Sequence, residues 1–388
     1  MTNIWDKIRN ISSGFSGLGI IGATDITASI ISALFWLYMA SLLGAEQYGQ
    51  VTYFISIGSI VATFSLLGST NMLSVYIPKN VRLESTLYII SIIIGLVAFV
   101  TLFFIFSNVS LSTYVIGMIF VGLASTEILA TRQYNSYPKY IIISKILMVG
   151  LSIGLYHLIG INGVILGLGL SFFPYLIRIY HTFKKSKINF SLLRTRGKFF
   201  INSFILNIFL AFRGSIDKII IAQIAGFVLL GNYQLGFQFL GVMNMLPIIV
   251  FKYILPQDAG LIPNKKLKGI TILFSIGIAV MGIVLSPIII PHLFPKYIEV
   301  IEVVQIFSIS VIPFTISLIL MSEFLGNEKI RIVLFGSGIF IGVIVVSQIL
   351  LGEIFGINGI AFSMVLADSS EVAFYFIIKQ LQTKKKLC

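Results

Sequence analysis

Apolar runs close to 20 residues long recur from one end of this chain to the other, and no other feature restricts the fold so strongly. Twelve can be traced, roughly over 17–43, 51–77, 85–107, 112–131, 140–159, 162–182, 199–224, 230–252, 269–290, 302–325, 332–352 and 357–379. About 20 residues of helix are needed to cross ~30 Å of hydrocarbon. In lipid, every backbone N–H and C=O must be satisfied internally, which leaves helices or closed barrels. Barrel strands are about ten residues long and alternate polar with apolar, a pattern these runs lack. Charged residues make up only 11% of the chain, against about a quarter in soluble domains. The expected class is an all-α polytopic membrane protein with about 12 transmembrane helices.

The charges that remain sort by position. Of 27 Lys and Arg, 22 lie at the two ends or in the even-numbered connections, among them Lys7, Arg9, Lys79, Arg82, Arg132, Lys139, Lys329 and Lys384–Lys386. Lys296 alone lies in an odd-numbered connection. Basic connections mark the cytoplasmic side, so both termini are expected there, in a cell membrane. The net charge of +13 is then a topology signal, and nucleic acid is not an expected partner because no basic face lies outside the connections. The opening "MTNIWDKIRNISSG" lacks the character of a cleavable signal and reads as an interfacial segment with Trp5 as a headgroup anchor. The single cysteine, Cys388, has no partner for an internal disulfide.

The longest polar connection, "TFKKSKINFSLLRTRGK" (182–198), holds six basic residues and divides the helices six and six. The expected organisation is an N-lobe over 1–181, this basic linker, and a C-lobe over 199–388. The lobes repeat one another. "GING" at 160–163 returns at 356–359, an offset of 196 that also carries Glu127 onto Glu323. Earlier in each lobe, Gly44 and Gly49 meet Gly226 and Gly231 at an offset of 182. Six helices return the chain to its starting face, so the repeats are parallel, as in transporters built from two lobes. Pro174, Pro247 and Pro313 fall inside helices 6, 8 and 10, where a missing N–H invites a kink.

Several chemistries find no support. "GLGLSFF" at 167–173 lacks the Lys and Ser/Thr of a phosphate-binding loop. His157, His181 and His292 are in separate segments without ligand spacing, so no metal or other cofactor is expected. Every exterior loop is short, which disfavours an enzyme such as a membrane glycan polymerase or ligase.

Three stretches carry a family resemblance. "ASLLGAEQYGQV" (40–51) resembles the "LLGxxxYG" signature closing helix 1 of polysaccharide transporters in the multidrug/oligosaccharidyl-lipid/polysaccharide exporter superfamily. "RGSIDKIIIAQIAG" with the following "GNYQ" is similar to their helix 7–8 hairpin, and "HLFPKYIEV" to the segment before helix 10. The chain departs from the pattern at Ala45, where proline is common, and at Pro295, where glycine is common. The resemblance implies a MATE-like fold and a Wzx-type flippase. Its substrate would be a polyprenyl-pyrophosphate-linked oligosaccharide, moved by alternating access for cell-surface polysaccharide synthesis alongside other glycan-assembly membrane proteins. A cation-coupled multidrug exporter on the same fold is the alternative.

Ionisable groups in lipid are costly and usually face a cavity or a partner. Arg213 and Asp217 are four apart on one helix face and are expected to pair. Arg213, with Asp217 tuning it and Lys218 beside it, is a candidate contact for an anionic headgroup. Lys145 and Arg178 near the inner interface are further substrate-binding candidates. Asp25, alone in helix 1, and Asp368 with Glu371 in helix 12 are candidates for coupling to H⁺ or Na⁺. Glu127 and Glu323 are expected to pair at their helix ends with Arg132 and Lys329.

Overall fold

A computed structural model describes residues 4–259, 264–327 and 329–387. Cys388 lies outside the described residues, as do the side chains of Trp5, Lys7, Arg9 and the tail lysines 384–386. The helices are α1 (Ile4–Leu66), α2 (Ser69–Tyr76), α3 (Glu84–Phe106), α4 (Val109–Ala130), α5 (Tyr137–Ile159), α6 (Ile161–Leu170), α7 (Tyr175–Lys185), α8 (Phe190–Arg194), α9 (Gly197–Met243), α10 (Met245–Ala259), α11 (Lys265–Leu293), α12 (Val300–Gly326) and α13 (Ile330–Leu387). No strand occurs among the described residues. The protein is an all-α, multi-pass membrane protein.

Three of these helices are too long to be single spans. The 63 residues of α1 would stretch about 95 Å if straight, three times the hydrocarbon thickness. Instead each doubles back at a glycine whose backbone leaves the helical region: Gly44 in α1 (φ 72°, ψ 171°), Gly226 in α9 (φ 79°, ψ 177°) and Gly356 in α13 (φ 57°, ψ −135°). In α1 the rings of Trp36 and Tyr48 are 6.1 Å apart, where twelve residues of straight helix would separate them by ~18 Å. In α9 the Tyr233 hydroxyl reaches Asp217 across 2.9 Å. In α13 a Cβ on Gly359 would collide with the Leu351 carbonyl oxygen. Eight helices among the described residues are long and apolar enough to span, nine when the pair 197–243 and 245–255, bent by 45°, counts as one. Three of the nine are such hairpins, so the chain forms the twelve segments that the sequence predicts.

The glycine repeat is a repeat of geometry. Gly160, between α5 and α6, has φ 65° and ψ −143°, close to Gly356, its equivalent at the offset of 196. Gly163 lies against the Leu155 carbonyl as Gly359 lies against that of Leu351. Positive φ with extended or inverted ψ is open to glycine at little cost and to other residues hardly at all. The turns at Gly44 and Gly226 match in the same way. A Cβ on Gly49 would strike the Phe227 carbonyl and one on Gly231 the Ala45 carbonyl, so the two hairpins touch reciprocally at equivalent residues.

The chain forms two compact units. One comprises residues 1–35 and 54–211, the other 36–53 and 212–388. Compared with a cut at the basic linker, 36–53 group with the second unit and 199–211 with the first. The core of the first unit packs Met72, Leu73, Leu87, Leu111, Ile119 and Leu123 with Tyr175 and Ile179. There α4 and α6 approach so closely that a Cβ on Gly117 would sit 2.5 Å from the Gly169 carbonyl oxygen, the small-residue packing favoured between membrane helices. The basic linker is fastened to this unit. Ser85 Oγ donates to the Ser186 carbonyl over 2.9 Å, the Asn189 N–H to Thr86 Oγ1 over 2.8 Å, and the Asn189 side chain caps α8. Large apolar side chains such as Phe104, Leu158 and Ile354 point outward, as a lipid solvent requires.

Three predicted helices are broken, two of them beside prolines flagged in the sequence. Helix 2 is interrupted at Leu67 and Gly68, both with positive φ, helix 6 by the turn over 171–174, and helix 8 at Asn244. Two of the three flagged prolines flank such breaks: Pro174 caps α7, and Pro247 lies in the first turn of α10. Pro313 lies within an unbroken α12.

Candidate functional site

The second unit contains three neighbouring groups of charged and hydroxyl side chains on α9, α12 and α13, buried except for a partly exposed Arg213. Arg213 on α9 grips Glu371 on α13 with both ends of its guanidinium, Nη1 to Oε1 at 2.7 Å and Nη2 to Oε2 at 2.8 Å. This planar fork is the strongest form of such a pair. Arg213 also donates to Ser337 Oγ over 3.3 Å and stacks over the Phe340 ring, 4.0 Å from its centroid. Glu371 is wholly buried and accepts two further bonds, from Ser317 Oγ at 2.8 Å and from the Tyr375 hydroxyl at 3.1 Å.

The expected Arg213–Asp217 pair does not form. An i,i+4 pair with the cation nearer the N-terminus is the weaker order on a helix, and Glu371 offers both oxygens in plane. Asp217 instead accepts from Lys218 Nζ at 3.1 Å to each oxygen and from the Tyr233 hydroxyl at 2.9 Å. Lys218 does not reach outward to the interface. It is buried, folded back onto the Gly214 carbonyl at 3.0 Å, with its ammonium 4.3 Å from the Phe237 ring centroid. Asp368, one turn before Glu371 and 2% exposed, accepts a 2.5 Å bond from Ser310 Oγ.

Counting charges across this network gives two cations, Arg213 and Lys218, against three carboxylates, Asp217, Asp368 and Glu371. Each cation is hydrogen-bonded to one carboxylate, while Asp368 is hydrogen-bonded to Ser310 and lies within electrostatic reach of Arg213. Nearby, Gln348 lies beside Tyr233, fully buried, with neither amide atom hydrogen-bonded. The arrangement can take up one further positive charge, as a proton or a cation.

The remaining candidates belong to the first unit. Asp25 is not alone: its Oδ1 accepts from the Tyr137 hydroxyl over 3.0 Å. Arg178 is bound to Glu127, Nε to Oε2 at 2.5 Å and Nη2 to Oε1 at 2.9 Å, and to Gln133 Oε1 at 2.8 Å. Glu127 therefore pairs across helices with Arg178 rather than along its own helix end with Arg132. Lys145 is partly buried and makes no hydrogen bond or ion pair among the described residues. In the second unit Glu323 likewise forgoes Lys329, which bonds Gln382. It pairs with Lys268 at 3.0 Å and Lys379 at 2.5 Å, and Lys268 also holds Asp258 at 2.8 Å. The hydroxyls of Ser310, Ser317, Ser337, Tyr233 and Tyr375 were not anticipated. Ser310 and Ser317 are seven apart on α12, two turns on one face, which is the signal available in the sequence. Among the described residues no group of three His, Cys, Asp or Glu side chains is placed to hold a metal ion.

Neither a family model nor a curated protein matches this sequence. Solved structures do match its fold. The lipid II flippase MurJ in an inward closed conformation superposes with a TM-score of 0.76 at 14% identity, over 92% of this chain and 87% of that one. An inward-facing multidrug resistance MATE family transporter of the MOP superfamily gives 0.68 at 11% identity, over 92% and 94%. The Vibrio cholerae MATE transporter VcmN in its bent form gives 0.56 at 11% identity, over 97% and 99%. The class defined by fold is therefore the MATE-like membrane fold, shared by a lipid II flippase and by multidrug transporters.

Proposed function

We propose that this protein is a flippase of the multidrug/oligosaccharidyl-lipid/polysaccharide superfamily. It moves a polyprenyl-pyrophosphate-linked oligosaccharide across the cytoplasmic membrane by alternating access, supplying cell-surface polysaccharide synthesis. The observation that carries the reading is the set of buried Asp217, Lys218, Asp368 and Glu371 with the partly buried Arg213, in a fold shared with MurJ. Charges this expensive to bury far exceed what packing of membrane helices needs. The helix 1 motif "LLGAEQYG" at 42–49 supports the flippase over the exporter. Asp368 is the proposed site of H⁺ or Na⁺ coupling, because it is the carboxylate in excess of the local cations. Arg213 holds Glu371 in place and, when the fork opens, presents its charge to an anionic headgroup. Asp25, with its Tyr137 partner, is the corresponding coupling candidate in the first unit, and Lys145 a candidate headgroup contact there.

Reconstitution tests this directly. Proteoliposomes loaded with a defined polyprenyl-pyrophosphate oligosaccharide in one leaflet should expose it in the other when an ion gradient is imposed. Efflux of cationic drugs without glycan movement would instead establish the exporter. Both termini and the 182–198 linker are proposed to be cytoplasmic. Reporter fusions after Lys198 and Lys386 read this, and an exterior signal at either would overturn the topology.

A further inference from the structure

The first unit holds a polar cavity of about 370 Å³ that shares no lining residue with the charged network described above. It lies where α3 begins and α4 and α7 end, on the side of the unit that carries the Lys- and Arg-rich connections. Helix α7 supplies Arg178, His181, Thr182 and Lys185 to its wall, at i, i+3, i+4 and i+7, which is one face of a helix. Arg82 and Lys185 are exposed at its mouth, and neither has an ion-pair partner among the described residues. Arg178 lines the cavity with its guanidinium already clamped by Glu127 and Gln133. Three of its five N–H groups are thereby used and two are not. Glu84 lines the same cavity, and its Oε2 is buried without a hydrogen-bond partner.

An arginine preoriented by Glu127, with two free donors and two further cations beside it, gives the cavity one positive charge in excess of its carboxylates Glu84 and Glu127 and donors that suit a phosphate. A buried carboxylate oxygen lacking a donor adds a second requirement, since leaving it unsatisfied is costly. A ligand that places a hydroxyl close to its phosphate answers both. We infer that this cavity binds a phosphate ester bearing a neighbouring hydroxyl, with Arg82, Arg178 and Lys185 on the phosphate and Glu84 accepting from the hydroxyl. Two sources share that chemistry, a glycerol-type phospholipid headgroup at the membrane surface and a soluble hydroxylated phosphate ester. The inference does not depend on what the protein transports.

Two measurements on the full-length protein separate the sources. Glycerol 1-phosphate is titrated in neutral detergent against inorganic phosphate, and retained lipid is read by native mass spectrometry after extraction from vesicles of phosphatidylcholine mixed with phosphatidylglycerol. We expect saturable binding of glycerol 1-phosphate, or selective retention of phosphatidylglycerol, weakened about tenfold by R82Q/K185Q and weakened by high salt. R82Q/K185Q breaks no ion pair, so the fold should be kept. As an independent arm, E84Q should narrow the preference for glycerol 1-phosphate over inorganic phosphate. Binding only in the soluble arm identifies a free ester, and binding only in the vesicle arm a lipid headgroup. Failure of both probes to bind above their counterparts, or binding indifferent to both R82Q/K185Q and E84Q, would overturn the inference.

Discussion

The two halves of this chain are built on one backbone plan and filled with opposite chemistry. Where helix 12 carries Asp368 and Glu371, the equivalent positions of helix 6 are Phe172 and Tyr175. Where helix 7 carries Arg213, Asp217 and Lys218, the matching residues of helix 1 are Ile31, Phe35 and Trp36. The turns at Gly160 and Gly356 nevertheless share their dihedral angles to within about ten degrees. Duplicate scaffolding keeps glycines, because backbone geometry demands them. It has kept Glu127 and Glu323, which both pair across helices, but not the charges at 213, 217, 218, 368 and 371, so packing the shared backbone does not require those five. The second half therefore buries charges at positions where the first half has apolar or aromatic side chains.

The largest expected effect breaks the charged half. Arg213→Leu leaves the wholly buried Glu371 without its fork, a loss of about 3–5 kcal/mol that should appear as low membrane abundance. Arg213→Leu combined with Glu371→Leu removes both charges and should restore abundance, making this region resemble its apolar counterpart. Glycan movement should stay absent. A double variant that folds and transports fully would mean the pair only holds helices together. Asp217→Leu should not substitute for Glu371→Leu in this rescue, since Asp217 serves Lys218 and Tyr233.

The shared scaffold should break equally on both sides. Gly163→Ala and Gly359→Ala each push a methyl into a backbone carbonyl, which should cost about 1–3 kcal/mol at either position. Thermal unfolding in detergent compares them. A large asymmetry would contradict the repeat. A smaller effect is expected at the Arg178–Glu127 pair of the first half: Glu127→Gln keeps an acceptor for Arg178 while removing the charge of a largely buried pair, and should lower stability by less than the ~3–5 kcal/mol of breaking such a pair outright, with transport retained.

The spans and their repeat were legible in the sequence because lipid tolerates so few alternatives and because a positive-φ turn writes itself as glycine. The breaks in helices 2 and 6 were not, since Gly68 and Pro174 look like tolerated interruptions of long apolar runs. The site was half legible. Arg213, Asp217, Asp368 and Glu371 stood out as charges in lipid, yet their partners did not. Local helix rules see only neighbours three and four residues away, whereas Glu371 is 158 residues from Arg213. Glu127 and Glu323 show the same limit: each was matched to a basic residue nearby in sequence, and each pairs across helices instead. Serine and tyrosine hydroxyls were invisible because a hydroxyl in a membrane helix usually bonds its own preceding turn, and only the fold reveals which ones turn to a carboxylate.

The central claim is that the excess carboxylate, Asp368, couples transport to an ion. Its most direct test is glycan flipping in proteoliposomes by Asp368→Asn against the unmodified protein at equal membrane abundance, with and without a H⁺ or Na⁺ gradient. Asparagine keeps the size of the side chain and can still bond Ser310, so insertion and thermal stability should be nearly unchanged. The account predicts that the unmodified protein accelerates flipping when the gradient is imposed and that the variant does not respond to it. An Asp368→Asn protein that flips at the full rate, with the same dependence on the gradient, would contradict it.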